Sequence, residues 1–330
     1  MLFDILKNRK CFKLICAAGN EDEKEIEKLC AVYSLAGASF FDVAAKKEVI
    51  LAAKKGLKRA QELGQKEERF LCASLATDGD KHINKAFIEE KNCINCKKCI
   101  SSCPSFAIEE KNIEKKTENK VFINKARCIG CEKCLEICPK KAIKMLDGAQ
   151  DFSAILPEIA PLLDCIEFHT LSKDEKEIEE KWALINSNFK GMLSICLDRS
   201  KIGNEDTIKR ISRMIKDRTP YSTIIQADGA PMSGGKDDFK TTLQAVAMGE
   251  IIQRANLPVF ILLSGGTNSK TTELAKLCEI KANGVSIGSY ARKIVFEYIK
   301  DEDFFENKEK FLKAVKIARN LVETSLKNLA

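Results

Sequence analysis

Eight of the chain's fifteen cysteines stand where an iron–sulfur cluster would need them. The run Cys93-Ile-Asn-Cys96-Lys-Lys-Cys99-Ile-Ser-Ser-Cys103-Pro104 recurs as Cys128-Ile-Gly-Cys131-Glu-Lys-Cys134-Leu-Glu-Ile-Cys138-Pro139. Three thiolates at this spacing wrap one face of a cubane, and the fourth corner must come from another segment. In doubled runs of this kind the fourth cysteine serves the other cluster. The expectation is therefore two [4Fe–4S] clusters, one on Cys93, Cys96, Cys99 and Cys138, the other on Cys128, Cys131, Cys134 and Cys103. Zinc is the competing ion, but it favours two pairs of ligands with a longer spacer. Pro104 and Pro139 stop an undisturbed helix after the last ligand. Ser102 and Gly130 are small enough to let backbone amides approach the sulfurs. Cys16, Cys72, Cys165 and Cys196 lie in apolar runs and read as small buried hydrophobes in a reducing compartment.

A second set of residues lies at the ends of apolar runs. Glu167 and His169 are two apart in an extended stretch, so their side chains share a face. With Asp228 they are the acid–base candidates, and His169 is also a candidate flavin contact. The plain alternative is a core histidine satisfied by a neighbour. His82 reads as a solvated loop residue. Ser264-Gly265-Gly266-Thr267-Asn268 and Gly288-Ser289-Tyr290 follow the last two apolar runs. Backbone amides there can close on an oxyanion, so Gly265, Gly266, Thr267, Gly288 and Ser289 are candidate contacts for the phosphate of FMN, with Arg292 and Lys293 supplying charge. The Gly-rich stretch Asp228–Lys236 suits a lid or a solvated connection, and Thr241-x-x-Gln244 behind it has the form of a capping box.

These residues need a scaffold. Strand-length apolar runs occur at Phe12–Ala17, Phe40–Ala44, Phe70–Leu75, Cys165–Thr170, Met192–Leu197, Ser222–Ala227, Val259–Ser264 and Gly284–Gly288. Helical patterns lie between them near Glu23–Leu35, Glu48–Leu63, Phe152–Leu163, Lys173–Ile185, Glu205–Lys216, Thr242–Ala255 and Thr271–Lys281, and a last one spans Glu306–Leu326. Eight alternating units predict a (β/α)8 TIM-like barrel, with an open doubly wound sheet as runner-up. The cysteine runs then form a ferredoxin-like 2×[4Fe–4S] domain inserted after the third strand, at the carboxyl end where barrels build active sites. The expected division is 1–85 barrel, 86–148 insertion and 149–330 barrel. Asp42, Ser74, Asp198 and Gln226 are further polar residues at strand ends. The charge runs 111–120 and 173–181 read as a hairpin of the insertion and a solvated helix face, and Trp182 as a packing anchor.

Composition excludes other classes. The 330 residues carry a net charge of +7, which eight thiolates and two cluster cores of about +2 each would bring to about +3. Acidic and basic residues are interspersed, with no basic stripe for nucleic acid. No apolar run approaches the ~18 residues of a membrane span. The N-terminus lacks a signal-peptide pattern, so the cytoplasm is the expected compartment.

The chain resembles the light-dependent-period (LdpA) family of iron–sulfur proteins. Matching stretches are Phe12–Cys16, Tyr33–Ala38, Asp42–Ala45, both cysteine runs, Glu167–Thr170, Gln226–Gly234, Ser264–Asn268 and Gly288–Lys293. That family, known from cyanobacteria, is described as conveying cellular redox state to the circadian clock, so the resemblance implies cluster-based redox sensing and protein partners. More loosely, Pro258–Lys293 is similar to the FMN-phosphate region of dihydroorotate and dihydropyrimidine dehydrogenase barrels. That likeness implies an FMN-dependent oxidoreductase with a small-molecule substrate, its clusters passing electrons to or from a site at the barrel mouth; a redox partner protein is the other expected partner. A plain electron carrier ranks last, since it has no use for so large a barrel.

Overall fold

A computed structural model describes residues 1–111, 120–198, 202–229 and 235–329. Twelve strands follow in chain order: β1 (Cys11–Ile15), β2 (Phe40–Ala44), β3 (Phe70–Ala76), β4 (Lys85–Ile88), β5 (Ile108–Lys111), β6 (Lys120–Ile123), β7 (Ile143–Leu146), β8 (Cys165–His169), β9 (Met192–Asp198), β10 (Thr223–Asp228), β11 (Phe260–Ser264) and β12 (Gly284–Ile287). β1–β3 and β8–β12 form a closed parallel barrel. The pairing of Cys11–Leu14 with Gly284–Ile287 shuts it, so the chain is a (β/α)8 barrel and not an open sheet.

Strand residues alternate between the helical coat and the interior. At the amino end the interior is apolar: Cys11, Phe40, Cys72, Cys165, Ile224, Phe260 and Leu262 pack with Leu2 and Leu6 of the short helix Leu2–Lys7. One step up the strands, Lys13, Asp42, Ser74, Glu167, Ser194, Gln226 and Ser286 form a polar layer, all buried. Above it, His169, Cys196, Asp228, Ser264 and Gly288 line an open cavity at the carboxyl mouth. Outside, Phe12, Leu14, Phe41, Val43, Leu71 and Phe168 bury against the helices. Trp182 is such an anchor, stacked on Phe168 and donating its indole N–H to the Met214 carbonyl at 2.8 Å.

Four local features depart from expectation. The helix expected at Thr242 starts at Phe239, where Asp238 caps it by accepting from the Thr241 amide at 2.7 Å, in place of a Thr241–Gln244 box. The seventh helix ends early, at Leu277, and a separate helix Ser289–Ile299 precedes the final one, Lys308–Leu329. The helix Leu2–Lys7 has no counterpart in the sequence pattern, because six residues are too few to show a period.

The insertion leaves the barrel after β3 and returns before the helix Phe152–Ile159. Its strands pair antiparallel, β4 with β7 and β5 with β6. Ala86, Ala107, Ile108, Ile123 and Ile143 form its small core with the cysteines. The expected charged hairpin falls largely on residues 112–119, outside the described residues. Among the described residues, no helix is long and apolar enough to cross a membrane.

Candidate functional site

The two cysteine runs fold alike, related by an offset of thirty-five positions. Lys97 and Glu132 both take φ 62°, each opening a five-residue helix, Lys98–Ser102 and Lys133–Ile137. Cys103 and Cys138 end those helices in extended conformation, as a residue before proline prefers. The Ala107 amide donates to Cys103 Sγ and the Ala142 amide to Cys138 Sγ, both at 3.3 Å. A third amide, from Ala86, reaches Cys128 Sγ at 3.3 Å. Gly130 has φ +70°, and a Cβ there would lie 1.6 Å from the Lys81 carbonyl oxygen, so only glycine fits.

The fourth cysteine of each run crosses over. Cys93, Cys96, Cys99 and Cys138 line one hollow, and Cys103, Cys128, Cys131 and Cys134 line another. Electrostatics repeats the partition. Burial, then Cys131, Cys103 and Cys128, push the Cys134 thiol up to about 12. Burial raises Cys99 as well, and the thiols acting on it are Cys96, Cys93 and Cys138. Two sets of four thiols with amide donors aimed at sulfur fit the donor requirement of iron–sulfur clusters.

The second hollow is the one against the barrel. Gly19, in the first βα loop, lies so close that a Cβ on it would meet the His82 carbonyl at 2.1 Å and the Cys128 carbonyl at 3.3 Å. Lys85 donates to the carbonyls of both Gly19 and Cys128. Arg127 pairs with Asp22 at 2.7 Å and Glu25 at 3.2 Å, and Phe106 stacks on Phe296 with ring centres 3.8 Å apart. Ile129, next to Cys128, forms part of the wall of the barrel cavity.

That cavity brings Glu167, His169 and Asp228 together, along with Gly265, Gly266, Thr267, Gly288 and Ser289. His169 is 7% exposed; its Nδ1 meets Asp80 Oδ2 at 3.1 Å and its Nε2 meets Glu167 Oε1 at 3.4 Å. Burial opposes the imidazolium, but Asp80 and Glu167 outweigh it and raise the pKa well above the ordinary value. His82 also lies on Asp80, Nδ1 to Oδ1 at 2.6 Å, and lines the cavity, so it is not merely solvated. Lys13 was not among the sequence candidates. It is fully buried, 2.5 Å from Glu167 Oε2 and 3.9 Å from Asp42. Burial works to raise Glu167, yet Lys13 and His169 hold it below the carboxylate range. Asp42 gains less and is pushed up to about 6, mainly by burial. Ser194 donates to Glu167 at 2.8 Å, and Ser74 donates to Asp42 at 2.9 Å. Cys196 donates its S–H to Asp228 Oδ2 at 2.5 Å, and burial raises both groups.

The anion side of the cavity differs in detail from expectation. Gly265 takes φ +67°, but a Cβ on it would strike Asp228 Oδ1 and the Gly229 amide, both at 2.7 Å; its space serves loop packing. Thr267 donates its hydroxyl to the Ser286 carbonyl at 2.5 Å. Lys293 turns away to the Gly235 carbonyl. Arg292, one turn into the helix Ser289–Ile299, does line the cavity; it is buried, and its Nε has no hydrogen-bond partner among the described residues. Residues 230–234 of the Gly-rich loop lie outside the described residues, as does the side chain of Asp198.

The family described as "Light dependent period A C-terminal domain" matches residues 160–324, and "4Fe-4S dicluster domain" matches residues 86–145. "Light dependent period A" of Synechococcus elongatus is 30% identical over 275 residues, covering 82% of this chain and 74% of that protein. Solved structures similar to the chain include a truncated 3-deoxy-D-arabino-heptulosonate 7-phosphate synthase from Thermotoga maritima (TM-score 0.44, 12% identity, 94% of this chain and 87% of that one). Another is tryptophan synthase from M. tuberculosis (TM-score 0.47, 9% identity, 98% and 96%).

Proposed function

The chain belongs to the light dependent period A family of iron–sulfur proteins, and from that premise we propose that it senses or relays cellular redox state through two [4Fe–4S] clusters. The observation that carries the reading is the crossed partition of eight thiols into two sets of four. Cys93, Cys96, Cys99 and Cys138 hold the outer cluster, where Cys96 is exposed to a redox or signalling partner protein. Cys103, Cys128, Cys131 and Cys134 hold the inner one, beside the barrel cavity. The clusters supply one-electron steps; the chain supplies the thiolates, the amide donors and the docked geometry. The domain division is 1–85, 86–148 and 149–330, and the seven cysteines outside the cluster sets, none of them in a disulfide, suit a cytoplasmic setting. The test is an anaerobic redox titration followed by electron paramagnetic resonance. Two one-electron reductions per chain are expected. A redox-silent protein contradicts the reading.

A second reading, an FMN-dependent oxidoreductase, is favoured by Arg292. A buried guanidinium with an unpartnered Nε beside a helix N-terminus is suited to a phosphate. Gly266, Gly288 and Ser289 flank it, with Gly265 and Thr267 shaping the loop. FMN bound there would connect two-electron chemistry to the clusters' single electrons. Glu167, His169 and Asp228 would be the groups that move protons on a substrate. FMN titrated into anaerobically purified protein should bind, and Arg292→Met should weaken binding about tenfold to a hundredfold. Absence of both released flavin and affinity for added FMN removes this reading and leaves the relay intact.

A further inference from the structure

Three side chains at the carboxyl ends of β8 and β9 converge with chemistry that the relay does not use. One ligand atom each from Glu167, His169 and Cys196 lies within 4.8 Å of the others. Asp228, on the neighbouring β10, adds a carboxylate oxygen 2.5 Å from Cys196 Sγ. We propose that Glu167, His169, Cys196 and Asp228 form a binding site for a divalent transition-metal ion of the zinc type at the mouth of the barrel.

The orientation of each donor supports a ligand set over a plain polar core. His169 has its Nδ1 on Asp80, which leaves Nε2 facing Glu167, and Asp80 in turn also holds His82. A carboxylate on one imidazole nitrogen is the usual support for a metal on the other. Glu167 is likewise divided. Oε2 accepts from both Lys13 and Ser194, and Oε1 is the atom turned to His169. Tetrahedral zinc, with bonds of about 2.0–2.3 Å, needs its donors roughly 3.3–3.8 Å apart, against a spread of up to 4.8 Å among the donor atoms of Glu167, His169 and Cys196. The thiolate and two carboxylates carry three negative charges, which the dication and the ammonium of Lys13, shared with Asp42, offset in large part. Thiolate with imidazole and carboxylate selects zinc or ferrous iron over magnesium or calcium. Arg292 opens onto the same cavity with its unpartnered Nε, so a small anion would find the metal and a guanidinium together.

The proposal does not depend on FMN or on cluster redox activity. The experiment uses the full, cluster-bearing chain, purified anaerobically, with Zn2+ alone as the probe, since zinc outcompetes iron(II) and manganese at such donors. Zinc is quantified by mass spectrometry beside iron, and its shell is read by X-ray absorption at the zinc edge, where cluster iron does not interfere. One zinc per chain is expected, with a single sulfur at about 2.3 Å and the remaining donors N or O at about 2.0 Å. Cys196→Ser should remove the sulfur scatterer, and it and Asp228→Asn should each lower affinity at least tenfold, with cluster iron unchanged as proof of folding. A four-sulfur zinc shell overturns the proposal, because it puts the ion in a cluster cradle. So does zinc content and shell indifferent to Cys196→Ser, or failure to retain zinc at millimolar supply.

Discussion

Lys13→Met would show how the barrel tolerates charge at its centre. The ammonium is fully buried, 2.5 Å from Glu167 and 3.9 Å from Asp42. Methionine nearly matches its volume, so the change is chiefly electrostatic. Coulomb attraction at about 4 Å in an effective dielectric of about 20 amounts to ~4 kcal/mol. Breaking a buried pair by removing one partner costs about 3–5 kcal/mol, which agrees. At about 2 °C per kcal/mol for a chain this long, the melting temperature should fall by roughly 6–10 °C. The pH dependence has a definite sign. In the native chain Glu167 is held below its unfolded value, so its contribution is present throughout neutral pH and is lost only in strong acid. Without Lys13, burial of Glu167 is opposed by His169 alone and its carboxyl moves up. Asp42, already at about 6 with Lys13 beside it, moves up as well. The penalty grows as pH rises toward those new values and levels off above them. The deficit against the native protein should therefore be larger at pH ~8.5 than at pH ~6. Adding Glu167→Gln should recover most of the loss at the higher pH. The assay is thermal unfolding by circular dichroism on anaerobic protein free of zinc. A fall under ~2 °C, or a deficit equal at both pH values, would refute the reasoning.

Two further substitutions probe the cluster segment and its seat. Gly130→Ala drives a Cβ to 1.6 Å from the Lys81 carbonyl oxygen at a positive φ, so the loop around Cys128 and Cys131 must shift, and iron should drop from about eight to about four per chain by colorimetric assay. Arg127→Ala strips the ion pair to Asp22 and leaves the buried Glu25 exposed to its own desolvation, so local opening of the insertion should become easier by about 1–3 kcal/mol. Hydrogen exchange of the insertion amides reads this directly, and unchanged protection would contradict the docked geometry.

The barrel was legible because both faces of its strands are buried, giving runs such as Phe70–Leu75 and Val259–Ser264 bounded by helical periods. The doubled cysteine run was legible because its ligands sit within eleven residues of one another. What stayed hidden depends on contacts between distant positions. Lys13 looked like one charge inside Phe12–Ala17; only closure of the barrel sets it against Glu167, 154 residues away. Asp80 sits in a loop, and nothing near it in sequence announces His169. Cys196 read as a small hydrophobe because its partner Asp228 is on the next strand. Gly265 looked like space for phosphate, whereas its bare Cα makes room for Asp228.

Crossed ligation is the claim on which the relay rests, and one double substitution tests it. Cys96 and Cys138 belong to different runs in the sequence but line the same hollow. Iron and labile sulfide are measured in Cys96→Ser/Cys138→Ser protein purified without air. If the fourth cysteines cross, both changes strike one cluster, and about four irons remain, with the spectrum of an intact inner cluster. If each run holds its own cluster, both are damaged at once and the iron falls toward zero.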